Sequence, residues 1–203
     1  MNLGLIGKKI KMLSYFENTI NPVTKIKILD CYVIKHIIYN NSILIGYNIK
    51  SIHKINKSIL GILPKNIYCT KFKEFKVLSL NHYPIGKKIK INIFKLNEYI
   101  NVTGISKGKG FQGVVKKFKF SGVGGQTHGQ HNRLRTTGSI GAGSSPSRVF
   151  KGKKMPGKMG NKRTTIKNLK ILKINYKKKY IYIKGSIPGS NNKTNIIINK
   201  ICL

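Results

Sequence analysis

Apolar and polar residues alternate in short segments of the chain, and this period of two is typical of β-strands with one buried face. Residues 23–28 read VTKIKI and residues 89–93 read IKINI, so each segment predicts a half-buried strand. Residues 31–39 and 44–49 are rich in β-branched side chains, and the pair Asn40-Asn41 between them is a turn signal. These two segments therefore predict a β-hairpin.

The C-terminal part of the chain shows the same kind of pattern. Residues 169–174 and 180–184 flank a lysine-rich turn, which predicts a second hairpin. Residues 195–201 predict a last strand. Residues 57–75 have no clear period, and they predict a short helix or an irregular insertion.

A glycine-rich stretch separates these two strand-rich blocks. Fourteen of the 21 glycines lie between Gly104 and Gly160, among Ser, Thr, Pro and basic residues and few aliphatic ones. Ordering such a backbone costs much entropy and buries little apolar surface, so the stretch is expected to be a loop or disordered when alone. The chain is therefore predicted to be mainly β. Residues 1–103 and 164–203 would form a small barrel or sandwich, and residues 104–163 a long, irregular, basic extension.

The charge of the chain indicates a polyanionic partner. It has 40 Lys+Arg against 4 Asp+Glu, a formal net charge of +36, and nucleic acid is the usual polyanion that neutralises such a protein. An anionic membrane is the alternative, but no long amphipathic helix with lysines on one face is recognisable. No apolar stretch reaches the roughly 18 residues of a membrane span. Without a recognisable leader either, the protein is expected to work where it is made, with no membrane partner.

The basic residues are unevenly distributed. The first 98 residues contain 17 lysines and all four acids, a net charge of +13, whereas the rest contains 23 basic residues and no acid. All four arginines fall within residues 133–163, although lysine supplies charge everywhere else. A guanidinium is a planar fork that holds a phosphate or a base edge bidentately. The arginine positions therefore indicate that geometry matters there as well as charge.

Lysines spaced by glycines allow a backbone to approach phosphates closely, and such a chain suits unpaired RNA. The predicted nucleic-acid-binding residues are Lys107, Lys109, Lys116, Lys117, Lys119, His128, His131, Arg133, Arg135, Arg148, Lys151, Lys153, Lys154, Lys158, Lys162 and Arg163. Three phenylalanines, Phe111, Phe118 and Phe120, lie among them. They can stack on bases, but packing at the base of the extension is the favoured interpretation.

Motifs of catalysis and cofactor binding fail in their context. Residues 108–113 fit GxGxxG, but no acid follows them to hold a ribose. Residues 152–158 fit most of a Walker A loop, but the next residue is Met159, which has no hydroxyl for magnesium. The part of the chain that contains His128 and His131 has no acid for general acid–base or nucleophilic catalysis. No enzymatic activity, small-molecule substrate or cofactor is therefore predicted.

Metal and disulfide chemistry are also disfavoured. His128 and His131 lack a third ligand nearby, so hydrogen bonds to RNA or to the backbone are the favoured role, and no metal is predicted. Cys31, Cys69 and Cys202 are odd in number and far apart, which argues against a disulfide framework or a zinc knuckle. They are predicted to be small apolar residues in a reducing compartment.

Several segments together resemble the bacterial type of the ribosomal protein L3 family. Residues 4–12 (GLIGKKIKM) resemble the start of that family, and residues 102–114 (VTGISKGKGFQGV) resemble a later part. The most specific match is residues 138–141 (GSIG) followed by residues 148–161 (RVFKGKKMPGKMGN). Residues 183–189 (IKGSIPG) match near the end. The resemblance runs in order along essentially the whole chain.

This resemblance implies a β-barrel related to that of translation factors, on the outside of the large ribosomal subunit. It implies a loop that penetrates 23S-type rRNA towards the peptidyl-transferase centre, with its tip in residues 125–148. It also implies an early role in assembly and contacts with neighbouring large-subunit proteins. The location would be the ribosome, in a bacterial cytoplasm or, for an organelle gene, in the matrix or stroma.

The sequence departs from the family in two places. Many bacterial members carry glutamines shortly after the GSIG run, one of them methylated, but this chain has Ala142, Gly143 and Ser144 there, so that modification is not expected. Residues 51–84 match poorly and are expected to form a variable insertion. A general DNA-compacting protein is the alternative function, and it would show no preference for large-subunit rRNA over duplex DNA.

Overall fold

The computed structural model describes residues 3–16, 19–126, 128–129 and 131–201. The chain forms two compact units. The first, here called the barrel unit, comprises the described residues of 1–106 and 163–203. The second, here called the glycine-rich unit, comprises those of 107–162.

Strands dominate the described residues, with two short α-helices. In chain order the elements are β1 (Gly4–Phe16), β2 (Ile20–Ile28), β3 (Cys31–Ile37), β4 (Ser42–Ile49), α1 (Lys57–Leu60), β5 (Cys69–Lys76), β6 (Lys88–Ile89), β7 (Tyr99–Ile105), β8 (Phe111–Gln112), α2 (Val114–Phe118), β9 (Gly157–Lys158), β10 (Arg163–Asn175), β11 (Tyr180–Lys184) and β12 (Asn195–Lys200). The prediction of a mainly β protein is confirmed.

Six of these strands close into an antiparallel barrel in the order β1-β12-β7-β10-β11-β2. The period of two turns the isoleucines of each strand inward, as where Ile26 of β2 lies opposite Ile181 of β11. Both of these side chains are fully buried, as is Ile198 of β12. Each such side chain contributes about 1.5–3 kcal/mol by leaving water. Closure of the sheet, which removes its open edges, confirms the predicted small barrel.

A second sheet of the barrel unit has the order β5-β4-β3-β6, and buried residues on one side of it, such as Val33, Ile43 and Ile45, belong to the same apolar core. Gly4 of β1 permits close packing there, because a Cβ at this position would lie 2.4 Å from Cε1 of Phe75 on β5. The predicted hairpin of residues 31–49 is confirmed as β3 and β4.

The remaining strand predictions have mixed outcomes. The predicted strands at 23–28, 169–174, 180–184 and 195–201 are confirmed by β2, β10, β11 and β12. The strand predicted at 89–93 is wrong beyond Ile89. Ile91 and Phe94 are both buried in the core, and a 3-10 turn closed by the bond from Phe94 N to Ile91 O (3.1 Å) places them there.

Residues 57–75 contain both a helix and a strand. The short helix is present as α1, but residues from Cys69 onward form β5, which pairs antiparallel with β4. The expected helix or irregular insertion is therefore wrong for the second part of this segment. Cys31 and Cys69 are buried free thiols, as predicted, and Cys202 lies outside the described residues.

Candidate nucleic-acid interface

The glycine-rich unit is organised around a short antiparallel pairing of β8 with β9. The backbone N–H of Lys109 donates to the Met159 carbonyl, and the N–H of Met159 donates to the Gly110 carbonyl, both at 2.9 Å. The lysines of both segments, Lys109 and Lys158 among them, therefore lie on neighbouring stretches of backbone.

Gly160 is required for this arrangement. Its φ is +75°, a conformation that favours glycine, and a Cβ there would lie only 2.0 Å from the carbonyl oxygen of Lys107. The two backbone segments consequently approach more closely than any residue with a side chain would allow. Close backbone approach concentrates the flanking lysines on a small surface.

The glycine-rich unit has very little apolar core of its own. Among its described residues, Val114 of α2 is the one that is buried. One buried valine contributes about 1.5–3 kcal/mol, whereas fixing the backbone costs about 1–2 kcal/mol for each residue. The unit thus gains most by burying its exposed surface against another molecule.

The predicted binding residues are nearly all accessible to such a partner. Of the sixteen, all except Lys117 are exposed. Lys117 is half-buried, since its Nζ donates to the Met155 carbonyl at 3.3 Å and lies 5.0 Å from the ring centroid of Phe118. Lys117 therefore supports the unit internally. Fourteen of the other fifteen side chains are exposed residues of the glycine-rich unit.

Arg163 lies elsewhere. It is the first residue of β10, it pairs with Ile105 of β7, and it belongs to the barrel unit. Arg163 therefore belongs to a different unit from Arg133, Arg135 and Arg148.

The positions of Phe111, Phe118 and Phe120 agree only in part with the prediction that these rings pack at the base of the extension. Phe111 is 72% exposed, so the prediction that it packs at the base of the extension is wrong. It lies on the short strand β8, where it is paired with Lys158 of β9. Phe118 and Phe120 are half-buried, with ring centroids 6.3 Å apart.

A second exposed ring was missed by sequence reasoning. Phe150 is 58% exposed, and the guanidinium carbon of Arg148 lies 5.5 Å from its ring centroid. An arginine over an aromatic face is a cation–π pair, which also holds the guanidinium in one orientation. The signal was present in the sequence as an arginine two residues before a phenylalanine. The pair presents a flat apolar face beside a fork of donors, a combination that suits unpaired bases and phosphates.

The electrostatics of the two units differ. The glycine-rich unit has 13 basic residues and no acid, while the three acids that the structure describes are all engaged in the barrel unit. Asp30 forms ion pairs with Lys88 at 2.8 Å and Lys179 at 2.6 Å. Glu98 pairs with Lys200 at 3.0 Å, and Glu74 accepts a hydrogen bond from Ser42. The glycine-rich unit consequently has no internal counter-charge.

Within the described residues, no group of three or more His, Cys, Asp or Glu side chains is placed to hold a metal ion. Neither α1 nor α2, nor any other helix in these ranges, has the length and apolar character needed to cross a membrane.

Comparisons with known proteins give a consistent result. The family model described as Ribosomal protein L3 matches residues 79–179. The chain is 44% identical over 197 residues to "Large ribosomal subunit protein uL3c" of Gracilaria tenuistipitata var. liui, covering 93% of this chain and 95% of that protein. It is 45% identical over 196 residues to "Large ribosomal subunit protein uL3" of Buchnera aphidicola subsp. Cinara cedri (strain Cc), covering 93% and 94%.

Proposed function

Because the chain belongs to the ribosomal protein L3 family, we propose that its glycine-rich unit binds 23S-type rRNA inside the large subunit and reaches towards the peptidyl-transferase centre. The protein is a structural component of the large ribosomal subunit and not an enzyme. The barrel unit, with its closed apolar core, is the folded anchor in this proposal.

The observation that carries the proposal is the coincidence of charge and exposure in one unit. Thirteen basic residues and no acid occur in a segment in which, among the described residues, Val114 is the one buried side chain. Such a surface is stabilised by phosphates, and binding releases their condensed counterions. The exposed rings of Phe111 and Phe150 add stacking surfaces for unpaired bases.

Three further points are the stage at which the protein joins the large subunit, the proteins that it contacts there and the kind of ribosome to which it belongs. We propose that the protein joins the large subunit early, because the glycine-rich unit has to be surrounded by RNA as that RNA folds. Neighbouring large-subunit proteins would contact the barrel unit. The ribosome concerned is that of a bacterial cytoplasm or of an organelle, since the relatives include both bacterial and plastid proteins.

A filter-binding titration with salt tests the electrostatic part of the proposal. If about 8 phosphates are neutralised, the logarithm of the binding constant falls against the logarithm of salt concentration with a slope of about −6 to −7. A slope near zero would contradict the proposal. Duplex DNA of equal length is the control, and equal affinity for it would favour a general nucleic-acid binder instead.

A further inference from the structure

The turn of the β3–β4 hairpin carries large apolar side chains that are exposed to solvent. Ile38 is 78% exposed, and Tyr39 is 85% exposed. Leu78 is 79% exposed and lies beside the same turn, because the N–H of Val77 donates to the carbonyl oxygen of Asn41 at 2.9 Å. The set that we call the hairpin patch consists of Ile37, Ile38, Tyr39, Leu44 and Leu78.

The register of the second sheet places the two half-buried members of the hairpin patch on its outer face. Ile43 and Ile45 of β4 point into the apolar core, so Leu44 between them points the other way. Ile37 pairs with Ser42, two residues before Leu44, and therefore lies on the same face as Leu44. A groove of about 640 Å³ is lined by Lys35, His36, Ile37, Ile38, Tyr39 and Leu44. Four of the five members consequently share one continuous surface.

The local backbone does not require these apolar side chains. The chain reverses through a 3-10 turn at Ile38–Asn40, which is closed by a bond from Asn41 N to Ile38 O at 3.1 Å, and Asn41 has a φ of +46°. Small polar residues satisfy such a turn, and asparagine tolerates a positive φ. Ile38 and Tyr39 gain little burial from the fold, so their apolar surface is available to another molecule. A contiguous exposed apolar patch on a soluble protein marks an interaction site.

The charges around the hairpin patch indicate the chemistry of its partner. Lys35 is exposed and lines the groove, and Lys76 is exposed at the end of β5, opposite Ser42. Glu74 lies opposite Leu44 and accepts a hydrogen bond from the Ser42 hydroxyl. An apolar surface bordered by two exposed ammonium groups is complementary to an apolar pocket bordered by carboxylates.

Other occupants fit this surface less well. A second copy of the chain would bring two net charges of +36 together, and their repulsion opposes association. A nucleic-acid strand binds through phosphate contacts and through stacking on aromatic rings. Of the five members only Tyr39 has a ring, so a strand would leave the four aliphatic side chains unused. A protein surface can bury all five.

We propose that the hairpin patch docks a second protein of the large subunit, which receives Ile38 and Tyr39 in an apolar pocket whose carboxylates face Lys35 and Lys76. The inference rests on the proposed function, because it places the partner in the same particle. It names the part of the barrel unit that a neighbour contacts and the chemistry of that neighbour. All five members of the patch precede residue 79, where the match to the family model begins, so that match assigns them no role.

Site-specific photo-crosslinking of the full chain in assembled large subunits tests what covers the patch. Tyr39→p-benzoylphenylalanine introduces a photoreactive ring at an exposed aromatic position. Tyr176→p-benzoylphenylalanine is the control, since Tyr176 is 51% exposed and belongs to the barrel unit outside the patch. We expect position 39 to give one adduct with another large-subunit protein, which survives ribonuclease and which position 176 does not give. An adduct with RNA, with lipid or with a second copy, or no adduct, would overturn the inference.

A carbodiimide, which joins an amine directly to a carboxylate, tests the charge complementarity. Treated wild-type subunits should give the same partner linked to this chain through Lys35 or Lys76. Lys35→Gln and Lys76→Gln together should abolish that product. Lys177→Gln and Lys178→Gln, two exposed lysines of the barrel unit, are the matched control and should leave it unchanged. Equal yields from the two variants would refute the assigned chemistry.

Apolar docking is tested with the purified partner identified at position 39. Ile38→Ser and Leu78→Ser together should weaken its binding about fivefold or more, as expected for central interface residues. Ile85→Ser and Leu96→Ser, at positions 54% and 57% exposed outside the patch, are the control and should bind like the wild type. Equal affinities of the two variants would contradict docking at the patch.

Failure of the inference is distinguishable from failure of the proposed function. If filter binding to rRNA shows the expected salt slope and the chain enters large subunits, but position 39 gives no protein adduct, the inference alone is overturned. If the chain does not enter large subunits, the proposed function is overturned and the inference with it.

Discussion

Lys9 is a buried cation with a structural role in the barrel. It is 5% exposed, and its Nζ donates to the carbonyl oxygens of Ile187 and Gly189 at 2.8 and 3.0 Å. These bonds join β1 to the turn between β11 and β12. Nothing in the sequence distinguishes Lys9 from its neighbour Lys8. Burial of the Lys9 ammonium depends on two carbonyl groups that lie 178 and 180 residues further along the chain.

Lys9→Met should therefore destabilise the protein. The apolar chain is retained, but two buried carbonyls lose a charged donor, so the free energy of unfolding should fall by about 2 kcal/mol. Denaturant unfolding measures this change. Lys11→Met, at an exposed position of the same strand, is the matched control and should change it by less than about 0.5 kcal/mol. Equal effects of the two substitutions would contradict the role assigned to Lys9.

Asp30 is a second single residue with a predictable effect, because its contribution to the free energy of unfolding depends on pH. Partial burial raises the pKa of its carboxyl, but hydrogen bonds and charge from Lys179 and Lys88 outweigh this effect, so the pKa lies below its ordinary value of 3.8. A carboxyl with a lowered pKa stabilises the folded state above the pKa of the unfolded chain. That stabilisation is lost as pH falls through the lower, native pKa.

Asp30→Asn should consequently lower the free energy of unfolding by about 0.5–1 kcal/mol at pH 7, the range for a partly exposed ion pair. The difference from the wild type should shrink as pH falls below about 4, where the carboxyl of the unfolded chain becomes protonated, and should be lost once pH falls through the lower native pKa. It should also shrink at high salt. Unfolding curves across pH measure it, and a difference that stays constant down to acid pH would refute the ion-pair assignment.

At the scale of elements, alternation predicted β2. Content of β-branched residues with a turn signal predicted the hairpin of β3 and β4, and a lysine-rich turn between two strand-like segments predicted the hairpin of β10 and β11. It did not predict β1, because Gly4 and Gly7 interrupt the pattern and glycine disfavours strands. Both glycines are there for tertiary reasons, since a Cβ at Gly4 would lie 2.5 Å from Oδ1 of Asn199 on β12, and a Cβ at Gly7 would lie 2.5 Å from Cγ2 of Ile26 on β2. Such close approaches between strands distant in sequence cannot be inferred from local propensity.

For the candidate interface, the sequence identified the segment but not all of the contacts that its side chains make. Charge and glycine content identified the segment, and exposure of the basic residues agrees with their predicted role without testing it. The cation–π pair of Arg148 with Phe150 and the placement of Arg163 in the barrel unit, at the start of β10, were not predicted. Both depend on side chains and strands brought together by the fold.

The arginines of the glycine-rich unit allow charge and geometry to be separated. Arg133→Lys, Arg135→Lys and Arg148→Lys together keep the net charge but remove three planar forks. We expect the salt slope to stay nearly unchanged while rRNA nucleotides near these residues lose protection in chemical footprinting. Unchanged footprints would show that charge alone suffices at these positions.

At the scale of the whole molecule, charge is partitioned between two units with different sources of stability. The barrel unit has an apolar core and contains all the described acids, whereas the glycine-rich unit has 13 basic residues, no acid and little buried surface. The first can be stabilised by its own packing, and the second gains most from a polyanion. The account therefore requires the glycine-rich unit to be surrounded by rRNA in the assembled subunit.

Directed hydroxyl-radical probing from a single thiol tests this requirement. Burial raises the pKa of both Cys31 and Cys69 to about 11, so these thiols stay protonated and unreactive near neutral pH. In a Cys202→Ser background, Ser144→Cys places one reactive thiol in the glycine-rich unit. Lys178→Cys places one on the barrel unit as the control, and both positions are exposed.

Each protein is loaded with an iron chelate and incorporated into large subunits, and the rRNA cuts are mapped. We expect cuts around the peptidyl-transferase centre from position 144 and none there from position 178. The absence of cuts in that region from position 144, or the same cuts from both positions, would contradict it.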